Sequence, residues 1–280
     1  MKIDNVKIVA DSSADVLSLE KIPFSSAPLK IIADDKEFVD NGNLNVFEMV
    51  TFLQNYKGKS STSCPNAGDW LEAFGDTKYV FCVTITGTLS GSYNSALLAK
   101  EYYSEMYPDR HVYVLNSLTA GPEIGLIIDK LQELILNGKD FNTICEEINE
   151  YRKKTGLAFM LESMQNLANN GRVSPIVAKM AGILGIRVVG KASERGDLEP
   201  LNKCRGEDKS LKAIIEHLIS EGLDKGRVKI AHCFNETAAK KLATLLKERL
   251  KNVKTDIQPC RGLCSFYAEK GGILIGYEKF

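Results

Sequence analysis

The stretch Thr84-Ile85-Thr86-Gly87-Thr88-Leu89-Ser90-Gly91-Ser92-Tyr93-Asn94-Ser95-Ala96 decides the fold. An unbroken apolar run, Tyr79 to Val83, precedes it, and Ala96 to Tyr103 follows with helical composition and no breaker. A buried strand therefore feeds a loop of small hydroxyl residues and glycines, and that loop opens a helix. A helix N-terminus carries unpaired amides and the positive end of its dipole, so it attracts anions. Gly87 and Gly91 let a ligand approach the backbone, and Thr86, Thr88, Ser90 and Ser92 add neutral donors. That chemistry suits a carboxylate or a phosphate. A plain helix cap with two turn glycines uses the same residues and stays open at this point.

The pattern recurs on either side. Lys7 to Ala10 is a short apolar strand ending in the polar loop Asp11-Ser12-Ser13-Ala14-Asp15. His111 to Leu115 is another, leading through Asn116-Ser117-Leu118-Thr119-Ala120-Gly121 into a helix from Leu126 to Leu136. Strand, small-residue loop and helix thus follow one another over 6–20, 79–103 and 111–136, the rhythm of a parallel sheet flanked by helices with its loops on one rim. Residues 28–32 and 36–39 read as a small hairpin turning at Asp34-Asp35, and Asn45 caps a helix through Tyr56. The polar run Lys57 to Asn66 holds four consecutive hydroxyl residues and leads into the helix pattern Trp70-Leu71-Phe74.

From about Gly156 the character changes. Strands are expected at 157–160, 186–189, 227–232, 253–258 and 271–277, and helices from Ser174-Pro175 through Leu184, at 208–220 and at 236–250. Asn170-Gly171 marks a turn or a helix stop. The expectation is an α/β protein of two α/β domains. Residues 1–155 form an N-terminal domain with a parallel sheet flanked by helices, and 156–280 a mixed C-terminal α/β domain, with the ligand between them.

Composition narrows the function. Lys plus Arg equals Asp plus Glu at 36 each, so no basic excess calls for nucleic acid. No apolar run reaches bilayer length, so no integral membrane segment is expected. The N-terminus shows no apolar leader, and the expected location is the cytoplasm. Seven scattered cysteines and three isolated histidines read as reduced thiols without a metal site. G-x-S-x-G, the nucleotide P-loop and a dinucleotide fingerprint are all missing, so no cofactor is expected. Binding is favoured over catalysis. The alternative is an enzyme acting on a small anionic or acyl substrate, hydrolytic or phosphoryl-handling, through Ser90 and Arg172.

Four segments in order resemble the DegV family over essentially the whole length: Asp11-Ser12-Ser13-Ala14-Asp15, Thr62-Ser63-Cys64-Pro65-Asn66, Ser90-Gly91-Ser92-Tyr93-Asn94-Ser95-Ala96 and Asn170-Gly171-Arg172-Val173-Ser174. The resemblance implies a long-chain fatty acid held between two α/β domains, its carboxylate on Thr62, Ser63 and Ser90 and on amides near Gly91 and Ser92. It implies an acyl-carrying role toward a separate ATP-binding fatty acid kinase subunit, with Arg172 near the head group or the partner. Many members end in H-x-G-P-G, whose histidine reaches the carboxylate. Here the stretch Arg261 to Gly272 has no histidine, and Cys264 or Ser265 stands in that region. The usual D-S-x-x-x-S is replaced by Asn116 to Gly121. For the acyl tail, the apolar helix carrying Ile176, Met180, Ile183 and Leu184 is expected to supply a wall facing the first domain; ordinary core packing is its other reading.

Overall fold

A strand covered on both faces must be apolar at successive positions, and the first and third runs read above are. A computed structural model describes residues 3–179 and 185–280 and bears this out. β1 (Val6–Asp11), β2 (Phe24–Ala27), β3 (Lys30–Ala33) and β4 (Lys36–Val39) come first, followed by α1 (Val46–Asn55), β5 (Ser60–Ser63) and α2 (Ala67–Phe74). Then come β6 (Tyr79–Thr84), α3 (Ser92–Met106), β7 (His111–Asn116), α4 (Pro122–Leu136) and α5 (Phe141–Arg152). Strands β2-β1-β6-β7 form an all-parallel sheet. The pleat sends Ile8, Phe81 and Val83 toward α4 and α5, and Val9, Val80 and Cys82 toward α2 and α3. Strands β4-β3-β5 form a small antiparallel sheet beside it.

The remaining elements are β8 (Thr155–Leu161), α6 (Gln165–Asn169), α7 (Pro175–Ala178), β9 (Ile186–Ala192), β10 (Leu198–Arg205), α8 (Glu207–Ser220), β11 (Lys225–His232), α9 (Glu236–Arg249), β12 (Asn252–Pro259), α10 (Gly262–Ala268) and β13 (Ile273–Glu278). They build a six-stranded sheet ordered β10-β9-β8-β13-β11-β12, antiparallel except for the β11–β12 pair. Ala158 and Met160 on β8 pack under α8 and α9. The alternate residues Leu157, Phe159 and Leu161 point to the opposite face, toward the first half.

Two helices tie the halves together. α4 lies between the sheets, packing on β6 on one side and on β8, β11 and β13 on the other. Gly276 makes this approach possible, because a Cβ there would collide with the backbone of Glu123. α10 docks into the first half through buried carboxylates. Asp40 accepts from the amides of Gly262 at 2.9 Å and Leu263 at 2.8 Å, and Asp15 accepts from the amide of Arg261 at 2.9 Å. Carboxylates on the first amides of a helix complement its dipole.

Two local expectations are corrected. No helix follows β1: Asp15 takes a left-handed φ of 56°, and a single 3₁₀ turn leads on to β2, which pairs beside β1. The polar run before α2 is in part a strand, β5, and its position at a sheet edge tolerates hydroxyl side chains on both faces. Of the helix expected from Ser174-Pro175 through Leu184, Pro175–Ala178 is helical with Ser174 as its cap, and 180–184 lie outside the described residues. Among the described residues no helix is long and apolar enough to cross a membrane.

Candidate functional site

The inner faces of the halves do not close completely. They leave an apolar slot with about 700 Å³ of empty space, part of it open to solvent. One wall is the β8 face, Leu157, Phe159 and Leu161, extended by Leu274 of β13, Leu198 of β10 and Leu167 of α6. The facing wall comes from loops of the first half, with Leu29, Ile85, Leu89 and Ala120. α10 contributes Leu263, Cys264, Tyr267 and Ala268, which share one side of the helix. Gly190 leaves room for Phe159, because a Cβ there would overlap its ring.

The slot has a polar rim. Thr62, Ser90, Tyr267 and Arg172 line it, and Arg172 is the one charged residue among the described lining. Thr62 Oγ1 and Tyr267 Oη are hydrogen-bonded at 2.7 Å. Arg172 Nε donates to the Leu89 carbonyl at 3.0 Å, and Nη1 donates to the Asn170 carbonyl. Asn170 Nδ2 donates to the Ser60 carbonyl at 3.2 Å, so the Asn-Gly-Arg turn laces the second half onto both hydroxyl loops of the first. No carboxylate pairs with Arg172 among the described residues. Burial raises the Tyr267 phenol, so it remains a neutral donor. Burial also holds the Cys264 thiol well above its usual value, which leaves it protonated.

Behind the rim, Asp11 organises the 84–92 loop. It is fully buried and accepts from the Ile85 amide at 2.9 Å, from Ser92 Oγ at 2.6 Å, and from both the hydroxyl and the amide of Ser13. Desolvation raises its pKa, and these donors work against that rise. Other loop amides are also taken up internally, Gly87 by Asn116 Oδ1 at 3.1 Å and Ser92 by Ser90 Oγ at 3.3 Å. The slot therefore meets the loop's side chains more than its amides.

The structure sorts the residues singled out in the sequence. Thr62, Ser90 and Arg172 come together at the slot, and Arg172 is half-buried. Ser63 does not join them, because the pleat of β5 turns it to the exposed side opposite Thr62. Gly91 and Ser92 lie outside the lining, the Ser92 hydroxyl being taken by Asp11. Ser265 faces away and donates to the Cys260 carbonyl at 3.1 Å, so Cys264 is the one of the pair that reaches the slot. Ile176 is 78% exposed and is not in the slot wall, and Met180, Ile183 and Leu184 lie outside the described residues. The described wall of the slot in the second half is mainly a strand face. Sequence reading missed Tyr267 and that face. The alternation Leu157, Phe159, Leu161 and the helical spacing of Leu263 and Tyr267 were the available signals. No group of three or more His, Cys, Asp or Glu residues suited to a metal occurs among the described residues.

Such a molecule belongs to the class of α/β proteins whose two halves close on an apolar slot with a polar rim. The chain belongs to the DegV family, whose model matches residues 5–279. A DegV domain-containing protein of Streptococcus pneumoniae is 43% identical over 276 residues, covering 97% of this chain and 98% of the relative. A DegV family protein of Eubacterium eligens, solved loaded with heptadecanoic acid, superposes with a TM-score of 0.97 at 42% identity, covering 98% of this chain and 100% of that one. The Streptococcus pneumoniae fatty acid kinase (Fak) B3 protein, solved loaded with linoleic acid, gives 0.96 at 43% identity, covering 98% and 99%.

Proposed function

We propose that this chain binds one long-chain fatty acid in the slot and acts as the acyl-carrying partner of an ATP-binding fatty acid kinase subunit. The carrying observation is the distribution of polarity. An otherwise apolar slot has one arginine and three hydroxyls at its rim, with no acid to pair the arginine among the described residues. A carboxylate supplies that missing charge, and charge-assisted hydrogen bonds from Arg172, Thr62, Ser90 and Tyr267 would hold it. The tail then runs along Leu157, Phe159 and Leu161, each buried methylene contributing ~0.8 kcal/mol. The fatty acids in the Eubacterium eligens and Streptococcus pneumoniae relatives support this reading. So does the kinase system that the Streptococcus pneumoniae protein is named for.

Within this reading, residues 1–155 and 156–280 act as two domains, with α10 reaching back across the slot, and the protein works in the cytoplasm. Arg172 stands where it can contact the head group and, after phosphorylation, the acyl phosphate. Ser90 as a nucleophile gains no support: its oxygen accepts from the Ser92 amide, and no imidazole lines the slot among the described residues. The test is mass spectrometry of an organic extract of the purified protein. Close to one long-chain acid per chain is expected, turned over to acyl phosphate when a kinase subunit and ATP are added. An extract free of fatty acid, from protein that also fails to take up added acid, rejects the reading.

A further inference from the structure

A second cavity lies behind the slot. It holds about 920 Å³ of empty space, part of it open to solvent, and Leu157 lines both. Its character is opposite: four cations, Arg152, Lys153, Lys191 and Lys279, line it. The acids on the same wall are largely committed. Glu221 is shared between Lys191 at 3.0 Å and Lys279 at 3.4 Å. Glu123 is fully buried, takes the Thr155 hydroxyl at 2.7 Å, and is pushed by desolvation toward its neutral form. Glu194 sits on the exposed β9–β10 turn.

Arg152 is the anomaly. Among the described residues its guanidinium makes no hydrogen bond and no ion pair, and its Nε is buried without a partner. That Nε gives up hydration that no partner among the described residues returns, and an orphaned buried donor costs ~1–3 kcal/mol. Such an atom calls for a specific partner, an ion included. The fold supports the surroundings rigidly: α5 ends at Arg152, β8 begins three residues later, and Gly196 packs the β9–β10 turn onto Thr86 and Leu118.

We propose that this cavity is a phosphate-binding site, in which Arg152 takes two oxygens of a phosphate or phosphomonoester and Lys191 and Lys279, two cations sharing the one carboxylate of Glu221, lend it their surplus positive charge. A planar guanidinium matches that geometry, and Lys153, paired with Glu150 at 2.6 Å, stands at the margin. The site is separate from the slot rim and does not depend on what the slot holds.

The experiment measures thermal stability of the full chain against inorganic phosphate and against glycerol phosphate, with ionic strength held constant by chloride. A saturable rise in Tm is expected for at least one of them. Arg152→Gln should weaken the apparent affinity by about tenfold or more, the loss of one charge-assisted pair. The same variant without phosphate should melt no lower than the parent, because the side chain it removes has no internal partner. The Arg152 Nε–H resonance, assigned by its disappearance in Arg152→Gln, should shift with phosphate and not with chloride. A phosphate response retained in Arg152→Gln overturns the proposal, as does a linear, unsaturable rise in Tm with an unmoved resonance.

Discussion

Two hydroxyl-rich clusters face each other across the 84–92 loop, and they handle charge in opposite ways. On the inner side Asp11 is sealed and fully answered by Ser13, Ser92 and the Ile85 amide. On the slot side Arg172 is half-buried with two carbonyls and, among the described residues, no carboxylate. A charge whose partners are all internal shapes the fold; a charge left open beside an apolar slot is available to a ligand. The same residue types, Ser and Thr, serve both, and only the direction of each side chain separates the roles.

The contrast can be broken by substitution. Asp11→Ala strands several buried donors at once, and unfolding free energy in urea should fall by roughly 3–5 kcal/mol. Arg172→Ala should leave the same measurement within about 0.5–1 kcal/mol of the parent while weakening fatty acid binding. Equal losses of stability in the two variants would erase the distinction. The next effect concerns the tail wall. Leu157→Trp fills the end of the slot farthest from Arg172 along β8, so the longest chains should lose about 2–3 kcal/mol, three or so methylenes, while shorter chains are spared. A competition profile across chain lengths that matches the parent would place the tail elsewhere. At the rim, removing two donors together in Thr62→Ala with Ser90→Ala should cost about 1–3 kcal/mol in fatty acid affinity by lipid displacement.

A pH-dependent effect comes from the carboxylates that hold α10. Burial and the nearby Asp40 push Asp15 from 3.8 up to about 8, with the Arg261 amide and the Cys264 thiol opposing the rise. The folded state therefore keeps a proton that the unfolded chain releases. Its contribution to stability is complete below pH 3.8 and is lost progressively as pH rises toward about 8. One such group sets a slope of at most ~1.4 kcal/mol per pH unit. Asp15→Asn keeps the acceptor for Arg261 and removes the titration, so its urea midpoint should vary less over that window. An unchanged slope would assign the dependence to Asp11, Asp40 and Glu123, which are also raised.

Much of this arrangement was legible in the chain. The rim loops stand out as small hydroxyl residues and glycine between a strand and a helix, a pattern that a plain cap and an anion site share. The apolar runs at 79–83 and 111–115 gave the parallel sheet. What stayed hidden depends on register and docking. Thr62 and Ser63 are equivalent in composition, and only the pairing of β5 with β3 decides which one faces inward. Ser265 and Cys264 differ by one helical step on α10, a helix too short and too apolar to stand out from a core segment. Ile176 looked like wall material by hydrophobicity, yet the strand face of β8 occupies that role, because alternation along a strand delivers three bulky side chains to one surface.

The central claim is that the slot recognises a charged head as well as a long tail. The direct measurement is the affinity of the delipidated protein for a long-chain fatty acid and for the fatty alcohol of equal length. The two share every methylene and differ in the group that meets Arg172, Thr62, Ser90 and Tyr267. The acid should bind more tightly by about 1.5–3 kcal/mol, tenfold or more, and that advantage should shrink in Arg172→Ala. Equal affinities for acid and alcohol in the parent protein would contradict the account.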